Sequence, residues 1–254
     1  YIDLNDINAY ASYVNSIGGN IRLEVGEQDS LTYIAAEKLF MRGDNDGARR
    51  SLINYLQTFP EGAFSSNANF YLGSIAFAKK EFDEAIQRFK SVIASGDTKF
   101  LEESVARTAE IEYLSKDYPA ALESFKRLQI VAENPENRQA ARLGIMRCAL
   151  QTEQQKDALL AADELLKEPK LSPELEAEAR YVRAKAYIAQ KQANKALADL
   201  KELSKDTRTV HGAEAKYLLA QLYYDTNDDK NAEKVLMNFI ENGTPPVSYT
   251  HLRA

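Results

Sequence analysis

Few side chains in this sequence could act as nucleophile, base or metal ligand. The 254 residues include two histidines, His211 and His251, and a single cysteine, Cys148. Nucleophilic catalysis requires a nucleophile, a base and a group that orients the base within hydrogen-bond reach. His211, in "TVHGAEAK", is predicted to lie exposed at the start of a helix, and Cys148, in "LGIMRCAL", is predicted to pack against neighbouring apolar residues. The pattern therefore predicts that the protein is not an enzyme.

Metal-binding patterns are equally weak. One cysteine and two distant histidines do not supply the four ligands of a structural zinc site. The stretch "DTNDDKN" at 225–231 resembles a calcium loop, but Lys230 takes the place of the glycine and Leu236 that of the final glutamate. We interpret this stretch as a turn between helices, and we expect no metal and no cofactor.

Composition points to helices. Glycine and proline are few, at 11 and 7, so the chain lacks the turn residues of a protein built from many β-hairpins. The net charge of −6 opposes nucleic-acid binding, which requires a concentrated basic face, and docking to an anionic membrane. No apolar run approaches the roughly 20 residues of a membrane span. We therefore expect an all-α protein without a transmembrane segment.

A repeat of about 37 residues organises the chain. Segments such as "FDEAIQRF" and "YPAALESF" recur with one alanine in the middle of each, at intervals of 36–38 residues. Twelve residues before each alanine lies a second small or slim residue, and a short polar break separates the two. This spacing predicts helix A, a tight turn and helix B in every repeat, with stacked repeats forming a continuous core. The central alanines are Ala48, Ala85, Ala121, Ala158, Ala196 and Ala232.

The repeats resemble the tetratricopeptide repeat family over residues 28–244. That family has small residues at its eighth and twentieth positions, an apolar residue at the twenty-fourth and a proline near the thirty-second. Ala36, Ala48, Leu52 and Pro60 match these positions in the first repeat, whereas Met146 departs from the pattern in the fourth. The resemblance implies an α-solenoid, a right-handed superhelix of about six helix-turn-helix repeats, with the A helices lining its concave side.

The resemblance also predicts which side chains face the concave groove. Counting from the small residue at position eight gives the fifth, ninth and twelfth positions of each A helix. Eight of the twelve fifth and twelfth positions are aromatic, although aromatic residues form only 9% of the chain. Such rings either anchor a bound peptide or pack against the next A helix, and the two roles are compatible. The predicted groove residues are Tyr33, Glu37, Phe40, Phe70, Phe77, Glu110, Tyr113, Arg147, Tyr181, Lys185, Tyr217, Gln221 and Tyr224.

The two ends depart from the repeat. Residues 1–27 contain a helical stripe over 3–17 and an alternating stretch, "NIRLEVGE", over 20–27. The stripe is either helix B of a truncated repeat or a separate capping helix, and the stretch is predicted to be an extended linker. Residues 245–254 show no helical periodicity and are typical of read-through of foreign nucleotide sequence, so we treat them as a non-native tail.

The expected function is a non-enzymatic scaffold that binds a peptide or protein segment in the groove. The stretch "YLQTFPEGAFSSNANFYLG" at 55–73 is similar to a junction in bacterial cell-envelope members of the family, such as BamD and CpoB, which favours the envelope or periplasm over a cytoplasmic location. The alternatives are an assembly component that joins a larger complex through its ends or convex face, and a regulatory domain of a longer signalling protein. We expect a monomer or weak oligomer.

Overall fold

Helices account for nearly all of the architecture. The computed structural model describes residues 13, 16, 25–96 and 98–242, and within them it contains twelve α-helices and no strand. The predicted all-α solenoid of helical repeats is confirmed. The helices are α1 Val25–Met41, α2 Asn45–Thr58, α3 Ser65–Ala78, α4 Phe82–Ser95, α5 Leu101–Leu114, α6 Tyr118–Val131, α7 Pro135–Gln151, α8 Gln155–Leu165, α9 Pro173–Ala189, α10 Ala193–Leu203, α11 Val210–Asp225 and α12 Asp229–Asn242.

The chain divides into two compact units, the first ending at Ser115 and the second beginning at Lys116. In the first unit, α1 to α5 pack consecutively, each on the next. The small residues predicted at the helix crossings are buried, and they allow close approach of the helices. A Cβ atom on Gly73 would lie 2.8 Å from the ring of Phe89, so glycine is what lets this ring lie against α3.

In the second unit, α6 to α12 also pack consecutively, and the A helices α7, α9 and α11 contact one another in order. Met146, the departure from the small-residue pattern, is completely buried. Two residues earlier, Gly144 lies against the ring of Phe125, where a Cβ atom would come within 2.4 Å of the ring. The fourth repeat therefore accommodates a large side chain at the eighth position of α7. The close contact between helices lies about half a turn away, at Gly144.

Each turn between an A helix and its B helix has one residue in the left-handed region. In the second repeat, the Lys80 N–H donates to the Phe77 carbonyl and the Glu81 N–H donates to the Ala76 carbonyl, which is the Schellman arrangement that ends a helix. The left-handed residues recur every 36–38 positions with φ between 56° and 80°: Gly43, Lys80, Lys116, Glu153, Lys191 and Asn227. The period seen in the alanines is therefore also a period of backbone conformation.

Two predictions, for the linker and for the acidic stretch, can be compared with the structure. Residues 25–27 are helical, so the extended assignment is wrong there, since an eight-residue alternation did not reveal that a helical turn begins at Val25. Residues 226–228 form the turn between α11 and α12, as predicted. The predicted helix over 3–17 lies outside the described residues apart from Tyr13 and Ser16, as does the tail at 245–254.

Candidate protein-binding surface

The fifth-position ring of the first A helix is fully packed. Tyr33 is 2% exposed, and its ring stacks on Phe64 with centroids 4.4 Å apart. Its hydroxyl donates to Glu37 Oε1 at 2.5 Å and accepts a hydrogen bond from Asn67 Nδ2 at 3.1 Å. The same carboxylate oxygen accepts the hydroxyl of Tyr71 at 3.0 Å. Glu37, predicted to be a polar groove residue, is therefore the acceptor that links α1 to α3.

The other predicted rings of the first unit are also covered. Phe70 stacks on Phe100 at 4.2 Å, and Phe40 stacks on Tyr71 at 4.5 Å. The guanidinium of Arg107 lies over the ring of Phe77, 5.0 Å from the ring centroid. Tyr113 is half-buried near the end of α5, and Glu110 accepts a hydrogen bond from Arg107.

A common rule describes these contacts. The ring at the fifth position is stacked by a residue nine positions before the small residue of the next A helix: Phe64 on Tyr33 and Phe100 on Phe70. The ring at the twelfth position is covered by the sixth position of the next A helix, as Tyr71 covers Phe40. In the first unit, these positions therefore build the interface between successive A helices.

A buried polar cluster lies beside these rings, and sequence reasoning missed it. The carboxylate of Asp29 accepts the Tyr55 hydroxyl at 2.5 Å and the Ala63 N–H at 2.8 Å, and the Tyr55 oxygen accepts the Phe64 N–H at 3.0 Å. Burial, reinforced by the hydrogen bond to Asp29, raises the pKa of Tyr55. Its hydroxyl therefore stays protonated and fixes the loop before α3.

In the second unit, Tyr181 obeys the same rule. It is buried, and the imidazole of His211 stacks on it with centroids 5.0 Å apart. His211 precedes the small residue Ala220 by nine positions, so it is the counterpart of Phe64. The prediction that His211 is exposed is wrong, because the preceding A helix places a ring against it. Lys185 also lies over this ring, with Nζ 5.3 Å from the Tyr181 centroid.

Charged side chains connect the helices of the second unit. Arg147, predicted to face the groove, forms two hydrogen bonds with Glu178 at 2.6 and 2.7 Å. Asp199 is almost completely buried, and it accepts two hydrogen bonds from Arg183 at 2.7 and 2.8 Å and one from Arg180 at 3.1 Å. This charge-assisted cluster joins α9 to α10. The hydrogen bonds to Asp199 also raise the pKa of Arg183.

An open surface remains on the A helices of the second unit. Leu150 and Ile188 at twelfth positions, with Leu218 and Lys185, line a concavity of about 490 Å³ bordered by Gln151 and Gln155. Further along, three of the predicted groove residues are exposed on α11: Tyr217, Gln221 and Tyr224. The structure thus brings Lys185 of α9 and the predicted residues of α11 to an accessible surface that combines apolar side chains, amides, one cation and the carboxylate of Glu153.

Cys148 is a buried, free cysteine of the second unit. Burial raises the pKa of the Cys148 thiol to about 11, so this residue is a neutral packing group at neutral pH, as predicted. Among the described residues, no three of the histidine, cysteine, aspartate and glutamate side chains are grouped so as to hold a metal ion. None of the described helices has the length and hydropathy needed to cross a bilayer.

Comparisons with known proteins find a family match over part of the chain and a shared fold over more of it. Residues 35–98 match a family model described as a tetratricopeptide repeat, and no curated protein is similar to the chain. Three solved structures, each 16% identical, have a similar fold. MamA from Desulfovibrio magneticus RS-1 gives a TM-score of 0.52, with 69% of this chain and 93% of that chain covered. The C-terminal part of a TPR repeat-containing protein from Cytophaga hutchinsonii gives 0.53, with 94% and 91% covered. YrrB, described as a TPR protein with an unusual peptide-binding site, gives 0.52, with 78% and 91% covered.

Proposed function

Because the chain carries tetratricopeptide repeats, whose fold is that of a protein–protein interaction scaffold, we propose that it is a non-enzymatic scaffold that binds an extended peptide segment. The binding surface lies on the A helices of the second unit, around Leu150, Ile188, Leu218 and Lys185. The peptide places an apolar side chain between the three aliphatic residues. The amides of Gln151 and Gln155 are available to bond its backbone.

The observation that carries this proposal is the concavity of about 490 Å³ on α7, α9 and α11. Its volume lies in the range of ligand-binding clefts, and an apolar base with a few polar groups at the rim is the usual arrangement of such clefts. The equivalent aromatic positions in the first unit are filled by the next A helix. The second unit, with the smaller aliphatic residues Leu150 and Ile188 at the twelfth positions of α7 and α9, has room for a bound side chain.

The location that we propose is the bacterial cell envelope. Support comes from the junction at 55–73, which is similar to that of envelope proteins of the family. Within this junction, Tyr55 and Phe64 form the hydrogen-bonded loop that precedes α3. The residues that resemble envelope proteins thus have a structural role in the loop. Fractionation of the source cells, with detection by an antibody against the protein, tests the location.

Peptide binding can be tested by selection from a random peptide library displayed on phage. Peptides selected on the wild-type protein should share an apolar residue. Their affinity for the Ile188→Asp variant should fall by about tenfold or more, since a carboxylate in the apolar cleft remains without a partner. Fluorescence anisotropy with labelled peptides measures this change.

The matched control is Ile130→Asp, which places the same charge on an exposed position of α6. Peptides should bind this variant and the wild type equally. If the selected peptides bind Ile188→Asp as tightly as the wild type, or if selection enriches no peptide, the proposed surface is wrong.

The second candidate function is an assembly component that joins a larger complex through its ends. The specific observation in its favour is the exposed apolar face of the last hairpin, formed by Leu236, Met237 and Ile240. Substitutions at this face should abolish assembly and leave peptide binding unchanged, which separates the two functions experimentally.

A further inference from the structure

The last hairpin has an apolar face that no described helix covers. Leu236 and Ile240 on α12 are 41% and 66% exposed, and Tyr224 on α11 is 69% exposed. Together with Met237, they line a concavity of about 440 Å³ between the two helices. Contiguous exposed apolar residues of this kind mark interaction surfaces.

The earlier repeats show what covers the equivalent face. Leu236 lies four residues after its central alanine, and its counterparts Leu52, Phe89, Phe125, Ala162 and Leu200 are all buried. In the first unit, Phe89 belongs to one apolar cluster with Ile111 of the next A helix. In the second unit, Phe125 lies against Gly144 of the next A helix. The face on α12 is therefore a surface on which an A helix can pack.

The opposite half of the same interface is exposed on α1. Ile34 occupies the sixth position of its A helix, and the side chain at this position in α3, Tyr71, packs on the twelfth-position ring of the preceding A helix, Phe40. The side chain of Ile34 is exposed on α1. By this rule, Ile34 would pack on a ring at the twelfth position of a preceding A helix. Tyr224 is an exposed ring at that position.

The charges beside the two faces are opposite. Lys38 lies between Ile34 and Met41 on α1, and Arg42 comes directly after them. Asp229 and Glu233 line the concavity on the last hairpin. When the face on α1 packs on the face on α12, basic residues lie next to acidic ones. This charge complementarity favours contact between two different ends over contact between two identical ends.

We infer that a second copy of this chain occupies the exposed face of α12, with its α1 seated where a seventh A helix would lie. Ile34 of the second copy contacts Tyr224. The contact joins two different surfaces, so it is heterologous and continues from copy to copy. This inference is independent of peptide binding, which uses other residues of the second unit.

Sedimentation velocity over a range of concentrations tests the inference with two blocked variants. One carries Met237→Glu and Ile240→Glu at the C-terminal face, and the other carries Ile34→Glu at the N-terminal face. The wild-type average mass should increase with concentration. Each variant alone should remain monomeric, whereas an equimolar mixture should form a dimer and nothing larger, because only one pair of intact faces remains.

Ile130→Glu is the matched control, since Ile130 is 84% exposed on α6 and outside both faces. It should associate as the wild type does, and circular dichroism should show equal helicity in all variants. A wild-type protein that stays monomeric at every concentration overturns the inference. Self-association of either blocked variant alone also overturns it, because that result requires contact between two like ends.

Discussion

Tyr33 in the first unit and Tyr217 in the second occupy the same fifth position of an A helix, yet Tyr33 is 2% exposed and Tyr217 is 44% exposed. The difference lies in the next A helix of the array. Phe64, just before α3, stacks on Tyr33, and His211, at the start of α11, stacks on Tyr181. No A helix comes after α11 among the described residues, so Tyr217 has no such cover there. An aromatic residue at this position is thus a packing element inside the array and an exposed surface at its end.

The two units also differ in how polar side chains stabilise them. In the first unit, tyrosine hydroxyls donate to carboxylates, and one of these, Asp29, is buried and accepts the hydroxyl of Tyr55. In the second unit, guanidinium groups of Arg180 and Arg183 surround the buried Asp199. Uncharged donors make the first unit sensitive to alkaline pH, whereas the second unit depends on the buried acceptor of an ion cluster. This contrast leads to predictions of different size.

A large loss of stability is expected for Asp199→Ala in the second unit. Removing the carboxylate leaves Arg180 and Arg183 close together without their shared acceptor. We expect a loss of about 3 kcal/mol in the free energy of unfolding, since breaking a buried ion pair leaves an uncompensated charge. Urea denaturation followed by circular dichroism measures the loss.

Asp163→Ala is the control for this change. Asp163 accepts a hydrogen bond from the same Arg183 at 2.9 Å, but it is partly exposed, so its loss should cost about 1 kcal/mol or less. Equal losses for the two variants would contradict the assignment of Asp199 as the centre of the cluster.

A smaller loss is expected for Tyr55→Phe in the first unit. The change removes a buried hydroxyl that donates to Asp29 and accepts the Phe64 N–H. Leaving these groups without a partner should lower the free energy of unfolding by about 2 kcal/mol. A loss below about 0.5 kcal/mol in urea denaturation would show that the cluster contributes little.

The same variant tests the response to alkaline pH. The pKa values of Tyr33, Tyr55 and Tyr71 are raised in the folded protein, chiefly by burial. The unfolded chain therefore loses these protons first, and stability should be complete below about pH 10 and decrease above it, by up to about 1.4 kcal/mol per pH unit for each residue. Tyr55→Phe should show a shallower decrease than the wild type between about pH 10 and 11, and an identical slope would contradict the prediction.

A gain in stability is expected at the turn after α3. Lys80 has a φ of 61°, a conformation that costs a residue with a side chain about 1 kcal/mol and glycine nothing. Lys80→Gly should therefore raise the free energy of unfolding by about 0.5 kcal/mol, after the greater freedom of glycine in the unfolded chain is counted. Lys79→Gly, at a φ of −85°, should give no gain. A loss at Lys80→Gly would contradict this account of the turn.

Much of the fold could be predicted from the sequence, because the repeat spacing is carried by small residues with a direct steric role. Ala48 and Ala85 are completely buried at helix crossings, and no larger side chain would allow the same approach. The left-handed turn residues were not predicted, since four of the six are lysine or glutamate, Lys80 among them, and these residue types carry no turn signal.

The candidate surface was harder to predict. Whether a side chain faces the groove or packs on the next A helix depends on neighbours far along the chain. The signal for packing was present in the sequence: Phe64, Phe100 and His211 all lie nine residues before a small residue. Asp29 gave no signal, since its partner Tyr55 lies on a different helix. Whether the predicted groove residues bind a partner stays a prediction.

The most direct test of the account compares the same substitution at the same position of two A helices. Tyr33→Ala should lower the free energy of unfolding by about 3–5 kcal/mol, because it removes a buried ring stacked on Phe64. Tyr217→Ala should change it by about 0.5 kcal/mol or less, since that ring has no subsequent A helix among the described residues. Urea denaturation of the two variants measures both values, and losses of equal size would contradict the claim that the next A helix decides the role of this position.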